Sequence, residues 1–430
     1  MTNRNASYVR TAMLPPKDPP VSQTGLVKWS RENLFDGWLS TVLTVVAVVA
    51  IGWIVWHLAP WFLNGVWHAG SLTECREILN GESGACWAVI NDRWTQLLFG
   101  FYPPELYWRP VLALVLMFVA IGPVLFPSVP RKVLYFSMAF PFIAYWLVWG
   151  GSVWIAVTVA LGFVIGYAVL RATHSFSTIL SAGLTIVLPI LYWLFAAFPL
   201  ADALGAAAPV EIAAVASRDF GGFMISIVIG VTGIALSLPM GILLALGRQS
   251  NMILIKWMSV IFIEFIRGVP LITLLFTASL LLNYFLPPGT NFDLILRVII
   301  MVTLFATAYM AEVIRGGLAA LPKGQYEAAD ALGLDYWKAQ RLIILPQALK
   351  VSIPGIVSTF IGMFKDTTLV VFVGLFDPLK AMSDTVRASF EWKGAYWEPY
   401  IFVGSIFFIL CFGMSRYSMY LERRLKRDHR

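Results

Sequence analysis

Runs of apolar residues close to the length of a membrane crossing dominate this chain and restrict what it can fold into. Ten such segments are read at approximately 38–58, 110–126, 133–150, 152–170, 179–200, 222–246, 258–286, 294–314, 351–376 and 396–415. A helix of about 20 apolar residues crosses the roughly 30 Å hydrocarbon core of a bilayer. Hydrocarbon offers no partner to backbone N–H and C=O groups, so such runs adopt the helix that satisfies its own. The expected fold is all-α, a polytopic transmembrane helical protein of about ten spans. Composition agrees: 13% of the 430 residues are charged and 59% hydrophobic, with a mean hydropathy of +0.77. A soluble domain carries about 25% charged residues.

The formal charge of +7 would suit nucleic acid, but the distribution of the basic residues points to membrane topology. With the N-terminus placed in the cytoplasm, 21 of the 31 Lys and Arg residues fall in inside segments and eight in outside ones, counting Arg297 at the outer edge of the span 294–314. Arg267 and Lys365 fall within spans. That asymmetry follows the positive-inside rule and puts both termini in the cytoplasm, as an even number of spans requires. No nucleic-acid partner is expected. Trp53, Trp56, Trp61 and Trp67 gather near predicted membrane ends and read as an interfacial belt against the lipid bilayer.

The spans fall into two unequal regions. Residues 1–37 are a polar, Pro-rich cytoplasmic tail without the layout of a removable signal peptide. Residues 38–220 form an N-terminal membrane region of about five spans with a long outside loop, 59–109. Residues 222–420 hold five more spans, charged residues at membrane depth and one long polar cytoplasmic loop, and 421–430 are a basic tail. Cys75 and Cys86 share the outside loop and are a candidate disulfide in an oxidising compartment. Cys411 reads as plain helix surface in the last span.

The polar loop at 315–350 contains Glu327-Ala328-Ala329, then Gly333, then Ile343, Leu345 and Pro346. Gln325 to Leu332 is rich in helix formers, and Gly333 suits the left-handed position that ends a helix. Asp335 is placed to cap a second helix, Tyr336 to Leu345, with Tyr336, Ala339 and Ile343 along one apolar stripe. Pro346 is expected to stop or kink that helix before the next span. The result is a short helix, a sharp turn and an amphipathic helix along the cytoplasmic face. It either presents a slim tip to a partner or merely connects two spans.

The spacing of Glu327, Ala328, Ala329, Gly333, Ile343, Leu345 and Pro346 resembles the cytoplasmic motif of ATP-binding-cassette (ABC) importer permeases. The resemblance covers roughly 222–420. It includes Gly241 to Ser250, Phe265-Ile266-Arg267-Gly268-Val269-Pro270-Leu271, Pro322-Lys323-Gly324-Gln325 and Lys365-Asp366-Thr367-Thr368-Leu369, which look like permeases of the polar amino acid family. Val269 stands where that family often has Thr, and Thr368 where it often has Ser. The added N-terminal spans are similar to the enlarged general L-amino acid permeases of Gram-negative bacteria.

The resemblance implies a five-helix type I ABC permease core at the C-terminal end, in a bacterial inner membrane, moving L-amino acids. It further implies cytoplasmic ATPase subunits docking on the motif, a second permease that is a related but different chain, and a periplasmic amino acid-binding protein. ATP and Mg would be bound by the partner ATPase, with no cofactor in this chain.

Ionisable residues at membrane depth normally face a bundle interior or a wet cavity. Glu264 and Arg267 are three apart and can pair, and Arg267-Gly268-Val269-Pro270 interrupts regular helix. These two residues, with Lys365 and Asp366, are candidates for the translocation path, Arg267 as a contact for a substrate α-carboxylate. A structural ion pair, a brace between permease subunits or an interhelical contact is the competing role. There is no G-x-x-x-x-G-K-[ST] loop, and His57, His68, His174 and His429 show no metal-ligand spacing. No catalysis is expected in this chain. The rival reading is an ion-gradient-driven secondary transporter, which often shows broken helices in both halves; here only the second half has them.

Overall fold

Among the described residues the apolar runs are helical, two of them as bent pairs, as hydrocarbon demands. The structure, a computed structural model, describes residues 25–126, 128–173, 178–281, 284 and 293–427. The tail up to residue 24, His174, the end of the seventh expected span, and the last three residues with His429 lie outside the described residues. Packing divides the chain into two units, residues 1–88 and 89–430.

In the first unit α1 (Gly25–Asn33) precedes α2 (Trp38–Leu63), and α3 (Leu72–Leu79) follows. α2 buries none of its residues and is apolar on every side, the pattern of a helix solvated by lipid all round. Ser71 caps α3 by accepting from the Glu74 N–H, and Glu74 accepts in turn from the Gly70 N–H, a reciprocal cap that satisfies helix-end donors. Cys75 and Cys86, both buried, form a disulfide with Cα atoms 5.9 Å apart.

The second unit begins within α4 (Ala88–Phe99), followed by α5 (Trp108–Leu125), α6 (Val133–Trp149), α7 (Val153–Thr173), α8 (Thr178–Phe195) and α9 (Ala197–Ala207). Two short strands, β1 (Gly151–Ser152) and β2 (Glu211–Ile212), pair antiparallel beside the α6–α7 turn. Then come α10 (Gly222–Gln249), α11 (Ile253–Gly268), α12 (Leu271–Phe276), α13 (Leu294–Ala319), α14 (Gly324–Ala331), α15 (Tyr336–Ala339), α16 (Leu345–Asp366), α17 (Pro378–Ala388) and α18 (Trp397–Arg427). Among the described residues seven helices are long and apolar enough to cross a membrane, and two bent pairs raise that to nine. The pairs are α8 with α9, bent by 52°, and α11 with Leu271–Leu281, bent by 102°. The 17-residue α6 is the remaining expected segment.

α13 is the most enclosed span, and α10 lies closest to it. Lipid tails are as apolar as leucine, so helices in a membrane associate through close packing of small residues. α10 supplies them: Ser226, Gly230, Gly233, Ser237, Gly241 and Ala245 are buried along one face. A Cβ at Gly241 would stand 2.7 Å from the Met310 Cγ, and one at Gly233 3.1 Å from Val302. The family-like core is thus built on backbone contact.

The N-terminal helices of this unit are tied to one another and to the core. The Tyr102 hydroxyl donates to the Val148 carbonyl at 2.9 Å and the Trp149 indole to Ser217 Oγ at 2.8 Å. Trp392, 1% exposed, donates to Asp92 Oδ2 at 2.8 Å. At the opposite end of α5 the Tyr417 hydroxyl donates to the Leu125 carbonyl. Asp377 caps α17 through the Leu379 and Lys380 N–H groups, and burial pushes its carboxyl up to about 6.

Gly241→Val should destabilise the unit by about 1–3 kcal/mol, the usual cost of overpacking, read as a lower thermal midpoint in detergent. For Asp377 the folded pKa lies above the ordinary carboxylate value. Its stabilising contribution is therefore full below about pH 4 and lost as pH rises through about 6, a difference on the order of 3 kcal/mol. Asp377→Asn keeps the cap oxygen and should flatten that part of a stability profile between about pH 4 and 6.

Candidate functional site

The polar loop between α13 and α16 takes its shape from local chain chemistry. α14 ends in a Schellman motif: Gly333, at φ +65°, donates to Asp330, and Leu334 donates to Ala329. Asp335 then caps α15 by accepting from the Lys338 N–H at 3.0 Å. The Lys338 ammonium lies 2.9 Å away, and its hydrogen bond holds the Asp335 carboxyl below the usual range. Glu327 and Ala328 are exposed on the tip, with Leu332, Tyr336 and Trp337 as an exposed apolar rim. Ala329 is buried beneath it, and Ile343 and Leu345 pack half-buried in the cluster around Ile314, Leu318 and Ile344. The Gln347 amide braces the loop by donating to Gln325 Oε1 at 2.9 Å. The motif therefore has two parts: Glu327 and Ala328 face outward, while Ala329, Ile343 and Leu345 hold the loop to the spans.

Two expectations for this loop are corrected. The helix beginning at Tyr336 does not lie separately along the face or stop at Pro346. It runs through a π-helical turn, Gln340–Ile344, into α16, and Pro346 sits in the first turn of that helix, where a missing N–H costs least. The wider turn also rotates the buried stripe. Gln340, Ile344 and Ala348 are enclosed, while Tyr336 is exposed.

At the ends of α10 and α13 lies a network of ionised side chains. Arg248 Nη1 is 2.8 Å from both Glu264 Oε1 and Glu312 Oε1. Arg315 Nη2 is 3.0 Å from Glu312 Oε2, and Arg267 Nη1 is 3.6 Å from the same oxygen. Arg267 also lies over the Tyr309 ring, 5.7 Å from its centroid. Glu264 and Arg267 are thus joined through Arg248 and Glu312 rather than to each other, because α13 offers Arg267 a more enclosed carboxylate. Arg248, Glu312 and Arg315 were absent from the sequence-derived candidates. The Glu312-x-x-Arg315 spacing at a span end was the signal that could have revealed them.

Arg267 stands at the root of the 102° bend, where Pro270 has no N–H to continue the helix. Beyond the bend α12 packs on the 3₁₀ turn Thr367–Val373, with Leu271, Leu275, Leu369 and Val370 in one cluster. The two interrupted spans of the core therefore meet. Lys365 is exposed and Asp366 half-buried where α16 gives way to that turn. Among the described residues no hydrogen bond or ion pair of either side chain is found, and neither reaches the Arg248 network.

The molecule is thus a bundle of membrane helices with a capped helix in the loop that follows its most enclosed span. The chain belongs to the binding-protein-dependent transport-system permeases: residues 237–427 match the family described as binding-protein-dependent transport system inner membrane component. Across 99% of its length it is 62% identical to the glutamate/glutamine/aspartate/asparagine transport system permease protein BztC of Rhodobacter capsulatus, whose whole length is covered. Across 95% it is 39% identical to the inner membrane amino-acid ABC transporter permease protein YhdY of Escherichia coli K12, of which 96% is covered. The glutamate/aspartate import permease protein GltK of Escherichia coli O157:H7 is 31% identical over 209 residues, 47% of this chain and 91% of that protein.

The chain is therefore a multi-pass inner-membrane subunit of an ABC importer, working with a separate ATPase, a substrate-binding protein and a second permease. ATP is hydrolysed by the partner.

The charge network ranks its members. The Glu312 side chain is 16% exposed and receives three guanidinium groups, whereas Glu264 is 53% exposed and receives one. Glu312→Gln should cost about 2 kcal/mol or more by leaving enclosed charges unpaired, and Glu264→Gln under about 1 kcal/mol. Thermal unfolding of the two purified variants measures the difference.

Proposed function

We propose that this chain moves polar L-amino acids, of the glutamate, glutamine, aspartate and asparagine kind, from periplasm to cytoplasm. Full-length identity of 62% to a permease with that stated range is the observation that carries the reading. A periplasmic amino acid-binding protein delivers the substrate, a related but different chain forms the second permease, and both termini lie in the cytoplasm. The path itself needs no cofactor in this chain; ATP and Mg belong to the ATPase.

Docking of the ATPase on Glu327 and Ala328 is supported by their exposure and by the apolar rim of Leu332, Tyr336 and Trp337. Ala329, Ile343, Leu345 and the Gln325–Gln347 bond make the loop a stiff lever rather than a loose tether. Gly333 sets its angle and Pro346 begins the span it moves. A push on the tip passes to α13 on one side and α16 on the other.

The membrane-depth charges divide between two roles. Glu264 and Arg267 sit in the Arg248–Glu312 network and act as a clamp across α10, α11 and α13. Lys365 and Asp366, at the junction of α16 with its 3₁₀ turn, are the better candidates for the path or for contact with the second permease.

Glu327→Lys and Gly333→Pro should each leave the chain in the membrane yet weaken ATPase association. A loss of about 2 kcal/mol corresponds to about thirtyfold. Uptake and substrate-stimulated ATP hydrolysis in proteoliposomes should fall together. Unchanged coupling in both variants would remove the docking role. Uptake that persists without ATP and collapses with an ion gradient would instead support a secondary transporter.

A further inference from the structure

One charged surface has no part in docking, in the ion network or in the path. At the start of α6, Arg131 and Lys132 are exposed, and near the end of α18, Arg416, Arg423 and Arg424 are exposed as well. Among the described residues none of these five side chains forms an ion pair or a side-chain hydrogen bond. The two groups belong to distant parts of the sequence but to one corner of the fold. The Tyr417 hydroxyl reaches the Leu125 carbonyl, and the Phe126 and Tyr417 rings stand edge to face at 5.8 Å. Ser137 Oγ donates to the Ala120 carbonyl and fixes α6 beside α5. Arg424 lies within electrostatic reach of Tyr417.

The depth of this corner follows from helix length. α5 ends at Leu125 after 18 residues, so its last carbonyl lies at the membrane edge, and Tyr417 and Tyr420 occupy the level where aromatic residues prefer to sit. Arg423 and Arg424 follow Tyr417 by about 10 Å along the helix at 1.5 Å per residue. They remain within about one Debye length of the headgroup plane. Topology alone requires basic residues on this side of the membrane, but not that two separate segments bring unpaired guanidinium and ammonium groups around one aromatic edge.

We propose that this corner binds the phosphodiester headgroup of an anionic phospholipid and that the lipid seals the joint between the N-terminal helices and the permease core. Arginine suits the role because its fork of donors matches phosphate oxygens two at a time. The inference rests on the cytoplasmic placement of both termini given above. Labelling a Lys426→Cys variant with a membrane-impermeant reagent tests that placement separately. Labelling in intact spheroplasts would overturn the topology, whatever the lipid result.

The lipid test uses the transporter complex purified in mild detergent. Retained phospholipid is quantified by mass spectrometry, and thermal midpoints are recorded during titration with phosphatidylglycerol or with phosphatidylcholine of the same acyl chains. Phosphatidylglycerol should be retained and should raise the midpoint, and phosphatidylcholine should not. Arg131→Gln/Lys132→Gln and Arg423→Gln/Arg424→Gln should each weaken phosphatidylglycerol binding by roughly tenfold, each basic group near an anionic surface contributing appreciably. Arg423→Lys/Arg424→Lys should keep most of it, as should the control Arg218→Gln/Lys393→Gln. Equal response to both lipids, or basic-pair variants indistinguishable from the control, would overturn the proposal. So would loss of ATPase subunits with lipid retention intact, which would assign the corner to a protein contact.

Discussion

The close approach of α10 to α13 sets the position of nearly everything else in the permease core. Two helices in lipid gain little from hiding apolar surface, so their association depends on how near the backbones come. The buried Ser and Gly face of α10 allows side chains of α13 such as Val302 and Met310 to lie directly on backbone. That contact brings Arg248, at the end of one helix, to Glu312 on the other at 2.8 Å. It also fixes the direction in which the chain leaves α13 for the polar loop.

From that frame two mechanical links emerge. A turn of four residues, 320–323, joins α13 to the loop, and the π-helical turn runs α15 directly into α16, so only short connections separate the tip from the spans. A π turn holds one more residue than a regular turn and recurs at functional sites in helices. Here it rotates Gln340, Ile344 and Ala348 inward and leaves Tyr336 and Trp337 facing out. The second link is the meeting of the two interrupted helices, α12 and the turn after Asp366, where irregular backbone at membrane depth is covered by protein as it must be.

The fold class and the helix ends of the polar loop were legible in the sequence because each depends on local chemistry. Apolar length gives a span, and Gly333 and Asp335 give an end and a beginning whatever surrounds them. The partners of Glu264 and Arg267 were not legible. Helical spacing allowed them to pair, but it contains no information about Glu312, which reaches them from a helix 45 residues further along. The path of the chain through Pro346 was missed for another reason: proline ends a helix in its interior but is accepted in a first turn, and only the π turn reveals which applies. The boundary expected near residue 220 reflects where the family-like sequence begins, whereas packing joins residues from 89 onward.

The hydrogen bond from Trp392 to Asp92 joins residues 300 apart in the chain. Its donor leaves the ribosome when all but the last membrane helix has been made. During synthesis α4 therefore waits with its acceptor open while the intervening helices enter the bilayer. Closure of this contact becomes a late event in biogenesis. A chain truncated before Trp392 would carry the complete loop of α14 and α15 and yet leave Asp92 without its indole donor.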